Sequence, residues 1–125
     1  MFWAFLIIVG CSVVVSDDAP ATLVRAVASV EPIRNCLKVA GGLHTQNKLD
    51  AAVTKVHTCY EEHFTPLEEL LRDHNRRATL SLEYGFGALA VSMGKPKSGA
   101  DSQALQLADR LEAVIDSIAS SDAVH

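Results

Sequence analysis

Between Gln46 and Tyr84 the apolar positions recur every three or four residues over the longest such run in the chain. Leu49, Val53, Val56, Tyr60, Phe64 and Leu67 fall on one side and Lys48, Asp50, Lys55 and Glu61 on the other, which predicts an amphipathic helix with one buried face. At Thr65 the pattern restarts. Thr65 suits an N-cap, Pro66 the first helical position, and Glu68 completes a capping box, so two helices are predicted here, or one sharply kinked. The second carries Leu67, Leu70, Leu71, His74, Ala78 and Leu82 on one stripe. Its charges run from Glu68, Glu69 and Asp73 to Arg72, Arg76 and Arg77, acid before base as the helix dipole favours.

Upstream, Pro20 opens a helix with Leu23, Val24, Val27 and Val30 on one stripe, which Pro32 interrupts. Ile33, Cys36, Leu37 and Ala40 continue the spacing up to Gly41-Gly42, where the helix is predicted to end. Downstream, the stretch through Phe86, Ala88, Leu89, Ala90, Val91 and Met93 is the most apolar after the N-terminal segment, and it reads first as a central core helix. Gly85 and Gly87 within it would leave room for a guest or a hinge, but a lone Gly-x-Gly is no nucleotide motif. Gly94 to Gly99 is a loop; Ser98 or Asp101 then caps a last helix with Leu105, Ala108, Leu111, Ile115 and Ile118 on its core stripe, widened by Leu107 and Val114. A frayed tail follows from about residue 120. The fold class is all-α, a small bundle of four to five helices.

The N-terminus changes the compartment. Met1 to Ser16 is almost wholly apolar without an acid or base, too short to span a bilayer, and Val14 and Ser16 suit a cleavage site. A secretory signal peptide over 1–16 leaves residues 17–125 as a single extracellular domain. Ile8-Val9-Gly10-Cys11 resembles the lipobox of bacterial lipoproteins, but no basic residue precedes it and the apolar run continues through Val15. Cleavage after Ser16 removes Cys11 and leaves Cys36 and Cys59, which are expected to pair in an oxidising compartment. A simple reversal at Gly41-Gly42 would put Cys36 about 7 Å from the turn and Cys59 about 20 Å, at 1.5 Å per residue. The bond then requires either a partly extended segment from Leu37 to Thr45 or a steep crossing of the first helices over the central one.

Of 125 residues, 11 are Lys or Arg and 15 Asp or Glu, for a net charge of −4, and no cluster of cations forms a nucleic-acid footprint. His57 and Glu61 are four apart, but the chain has no His-Glu-x-x-His or Cys-x-x-Cys, so no metal and no cofactor are expected. Glu61-Glu62 and Glu68-Glu69 read as exposed solubilising pairs, and no nucleophile stands with a base and an orienting group; the protein is not expected to be an enzyme. The expected function is that of a secreted helical protein acting on a protein partner, as a factor or effector. One alternative is a carrier of a small apolar ligand or lipid in a cavity between helices lined by Tyr60, Phe64, Phe86, Leu89, Val91 and Met93. The other is a membrane-active peptide or toxin without a stable span, against which the mild acidity argues.

Overall fold

The computed structural model describes residues 24–124, with side chains from 24 to 120, and shows where this chain bends. The signal peptide read over 1–16, Cys11, the domain start at Asp17, the helix start at Pro20, Leu23 and His125 lie outside the described residues. After a helical stretch over 24–28, α1 spans Val30–Thr45 and α2 Leu49–Cys59. A single π-helical turn, Tyr60–Phe64, joins α2 to α3 (Thr65–His74); α4 spans Arg76–Met93 and α5 Ala100–Val124. Since α2, the π turn and α3 run on without a break, four helical rods pack together.

A proline within a helix disturbs the backbone about four residues upstream, where its ring meets a carbonyl oxygen. Pro32 belongs to the first turn of α1, where its missing N–H costs nothing, and the interruption sits at Ser29, beside the Ala28 carbonyl. Pro66 faces the Glu62 carbonyl, and there the helix widens into the π turn. Thr65 is therefore no N-cap: its backbone is helical and both its N–H and its hydroxyl donate to the Tyr60 carbonyl. The break expected at Thr65 lies at Asn75, whose extended backbone (φ −157°, ψ 89°) ends α3 and whose side-chain oxygen accepts from the Ala78 N–H at 3.0 Å.

The glycine pair does not end α1. The helix runs through Gly41 and Gly42 to Thr45 and closes in a Schellman motif, with Asn47 in the left-handed region (φ 63°), Lys48 N–H donating to Leu43 O and Asn47 N–H to His44 O. This extension resolves the disulfide geometry. Cys36 now precedes the end of α1 by nine positions and Cys59 follows the start of α2 by ten, so both lie about 15 Å from the turn. A plain antiparallel hairpin brings their Cα atoms to 5.8 Å and the Cys36–Cys59 bond forms, with no extended segment and no steep crossing.

The other rods close on that hairpin as antiparallel neighbours. Gly41 on α1 sits against Asp101 at the start of α5, while Arg34 further back reaches Asp109 (2.9 Å) and Glu112 towards its end. Gly85 on α4 lies under Leu107 and Arg110 of α5, and Arg110 donates to the Ser81 carbonyl at 3.1 Å. The core between the rods holds Ile33, Leu37, Val56, Phe64, Leu71, Leu82, Leu89, Met93, Leu111 and Ile115, all fully buried. Three stripes shift from their expected positions, the first across the break at Asn75, where His74 is exposed and Thr79 is buried in place of Ala78. On α5 the buried row runs through Ala104, Leu107 and Ala108 and leaves Leu105 exposed; over 24–28 Ala26 is buried while Val24 and Val27 face solvent. Ser98 caps nothing, its hydroxyl being donated to Ser92 O, and α5 continues past Ser120 to Val124.

Two measurements check this account. Replacing both Cys36 and Cys59 with Ala should lower the unfolding free energy by about 3 kcal/mol, read from denaturant unfolding with midpoint and slope both fitted, since the released chain exposes more surface when unfolded. In the wild type neither thiol should react with alkylating reagent before reduction. Gly42→Ala should raise stability by roughly 0.5–1 kcal/mol, because an added Cβ meets nothing within 4 Å and helix propensity improves. Gly41→Ala should do less or destabilise, since its Cβ would lie 3.3 Å from the Asp101 Cα; equal gains at the two glycines would contradict the close approach of α1 and α5.

Candidate functional site

α4 is apolar on two sides. Thr79, Leu82, Phe86, Leu89 and Met93 point into the core, while Leu80, Tyr84, Ala88 and Val91 follow the i, i+4, i+8, i+11 spacing along the opposite face. That outer row is left in water: Leu80 is 44% exposed, Tyr84 74% and Val91 60%. Two adjoining surface grooves share Leu80 and Tyr84; one also takes in Arg76, Arg77 and Ser81, the other Glu83, Gly87, Ala88 and Val91. Gly87 contributes an open floor, because nothing lies within 4 Å of where its Cβ would be. Val39 and Leu105, the other large exposed apolar residues of the bundle proper, stand on α1 and α5.

Beside this face, α3 and α4 are tied by a polar cluster. Arg72 Nη2 lies 3.6 Å from both Glu68 Oε2 and Glu83 Oε2, and the Tyr60 hydroxyl donates to Glu68 Oε2 at 3.1 Å. Glu68, expected as an exposed residue closing a capping box, is instead largely covered, its side chain 14% accessible. Burial, followed by the neighbouring Glu83 carboxylate, raises its pKa above the ordinary carboxylate value, against the opposing pull of the Tyr60 hydroxyl and Arg72. Burial also pushes the Tyr60 phenol up, and its bond to Glu68 adds to this. The break at Asn75 meanwhile reverses the expected fit to the dipole. Arg76 and Arg77 occupy the first turn of α4, where no acid accompanies them, instead of following Glu68, Glu69 and Asp73 along a single helix.

The residues read from the sequence as a cavity wall do not share one surface. Tyr60, Phe64 and Phe86 meet as a ring cluster, with centroids 5.0 to 5.4 Å apart. Leu89 and Met93 are buried in the core, and Val91 is on the outer face of α4. Gly85 makes room for α5 and not for a guest, while Gly87 opens to solvent. His57, Glu61, Glu62 and Glu69 are exposed, and among the described residues no three His, Cys, Asp or Glu side chains gather as a metal site. No described helix is long and apolar enough to cross a membrane.

His44 was not singled out by the sequence, yet it is buried at the end of α1. Its Nε2 lies 2.8 Å from the Lys95 carbonyl and 3.2 Å from the Ser98 hydroxyl, which itself donates to Ser92 O at 2.6 Å. A carbonyl only accepts, so Nε2 carries the proton and donates. The pair is therefore not poised as a base and a nucleophile; it latches the α4–α5 loop to α1. The signal for the outer face of α4 was present in the sequence as an all-round apolar helix, but which side turned outward depended on where the rod began.

Glu68 gives the site a pH signature. Its folded pKa is raised, so its contribution to stability is present at low pH and is lost as pH rises through that value. As pH falls from neutral into the carboxylate range, the unfolding midpoint of wild type should gain on that of Glu68→Gln; a constant difference, or one moving the other way, would contradict the burial of this carboxyl. Comparison with protein-family models, with curated proteins and with solved structures finds no match to this chain.

Proposed function

We propose that this is a secreted, non-enzymatic binding protein that engages a protein partner through the outer face of α4. The observation that carries the reading is the alignment of Leu80, Tyr84 and Val91, exposed together on one face of a helix whose opposite face is already buried. Such a contiguous apolar row is a common mark of an interaction surface, and a central exposed Tyr suits an interface anchor. Gly87 supports the same reading. The fold does not need it, and mid-helix it costs about 1 kcal/mol relative to Ala, whereas a partner packing into the groove gains depth there. Secretion rests on the apolar segment 1–16 together with the Cys36–Cys59 bond, which persists in oxidising compartments. A surface is favoured over an internal pocket because the rings of Tyr60, Phe64 and Phe86 pack on one another, and the depression left between α2 and α4, lined by Val56, His57, Tyr60, Glu83, Phe86 and Gly87, is open to solvent and holds about 210 Å³, less than the roughly 300 Å³ a carrier cavity needs.

The test is site-specific photo-crosslinking. A benzophenone side chain at position 84, and another at exposed Asp116 on α5 as control, would be introduced into the disulfide-bonded protein. In the secretions of the cells that make it, position 84 should yield one discrete adduct that unlabelled wild type competes away. The Leu80→Asp/Tyr84→Asp variant should compete at least about tenfold less well, as loss of interface anchors implies. Equal labelling from both positions, or equal competition by the variant, would remove α4 from the proposal.

A further inference from the structure

Charge at one end of the apolar row identifies what lies on it. Asn75 starts α4, so Arg76 and Arg77 stand in its first turn, with the positive end of the helix dipole and without an acid in that turn. Neither guanidinium has a carboxylate partner among the described residues; Arg34 takes Asp109 and Glu112, and Arg72 takes Glu68 and Glu83. Both line the same groove as Leu80, Ser81 and Tyr84. Two cations in the first turn, set against the positive end of the dipole, cost folding stability, and an anion brought to that end of the row offsets the cost. From Leu80 to Val91 the row is about 16 Å long at 1.5 Å per residue, the length of three turns of helix.

Resting on the reading that α4 binds a protein, we propose that the partner presents an amphipathic helix whose apolar stripe lies along Leu80, Tyr84, Ala88 and Val91 and whose acidic end meets Arg76 and Arg77. Helix-in-groove recognition, in which anchors recur every three or four residues along an apolar face, matches both the spacing and the length of the row. A second copy of this chain fits less well. A two-fold axis crossing α4 antiparallel near Tyr84 would bring Arg76 and Arg77 towards Lys95 and Lys97 of the other copy, and a parallel arrangement would set arginine on arginine. An anionic membrane fits less well too. It would bring Glu83, which lines the same face, within about a Debye length of its surface, some 8–10 Å, whereas the acidic end of a helix meets only the basic end of the row.

Fluorescence polarisation on the disulfide-bonded protein tests this, using labelled helical peptides of about 18 residues with leucines at the matching spacing. Two carry a run of glutamates at one end or the other, and a third replaces the glutamates with lysines. One glutamate peptide should bind saturably, more weakly as salt rises. Arg76→Glu/Arg77→Glu should weaken it about tenfold and strengthen the lysine peptide, while Tyr84→Ala weakens both. These positions are exposed, and melting curves will show that the variants fold. If the lysine peptide binds wild type as well as the glutamate peptides do, the charge assignment falls and the α4 face stands. Failure of both glutamate peptides to bind overturns the acidic helix, leaving the face to the crosslinking result. Binding that ignores Tyr84→Ala overturns both. Arginine-dependent binding to phosphatidylglycerol vesicles, or a Tyr84-dependent dimer in sedimentation, would put a membrane or a second copy in the place of the helix and overturn the proposal.

Discussion

The bond between Cys36 and Cys59 sets the register on which the bundle is built. It joins α1 and α2 at matched distances from their connection, so the two helices cannot slide past one another, and every later contact of α1 inherits that position. His44, one end of α1, is thereby brought under the loop after α4, and Arg34, towards the other end, is brought to Asp109 and Glu112 on α5. The bridge acts mainly by restricting the unfolded chain, an effect of about 3 kcal/mol over a 23-residue separation. In a bundle of roughly a hundred residues, whose net stability is about 5–15 kcal/mol, that is a substantial part.

Helical class, the paired cysteines and most of the core stripe were legible because they depend on local spacing, which the sequence carries directly. The boundaries were less so, and each difference has a cause in backbone chemistry. Pro32 is expected to interrupt a helix at its own position and Pro66 to open a new one, but a helical proline clashes with the carbonyl four residues earlier, which places the disturbance at Ser29 and at the π turn. Glycine was read as a terminator at Gly41-Gly42, although close helix packing needs Gly41 and the left-handed residue that ends α1 is Asn47. Alanine was underweighted against leucine on α5, so Leu105 took the place that Ala104 occupies in the core. Asn75 was legible in principle, being a strong cap residue, but a continuous apolar stripe across it concealed the break.

The candidate surface was harder to read for a related reason. An all-round apolar helix states how much hydrophobic surface there is, not which side the bundle will use. Fully burying a side chain such as Leu or Val contributes about 1.5–3 kcal/mol, so a helix with spare apolar residues gives up a comparable amount for each one left in water. α4 does this at Leu80, Tyr84 and Val91 while Leu82, Phe86, Leu89 and Met93 fill the core. Four rods in a square leave each with one outward side, and for α4 that side is fixed by Gly85 against α5 and by Glu83 beside Arg72 of α3.

The break at Asn75 couples these features. Had the rod continued from α3 into α4, Arg72, Arg76 and Arg77 would have lain in its interior, away from either pole of the dipole. By ending α3, Asn75 turns the chain back so that α4 can cover the aromatic cluster of Tyr60 and Phe64 with Phe86, and so that Arg72 can sit between Glu68 and Glu83. The same turn leaves Arg76 and Arg77 at the positive pole of a new helix, with Glu68 and Glu83 engaged by Arg72. The two arginines and the exposed apolar row are therefore consequences of a single cap, and they fall at adjoining positions along one helix.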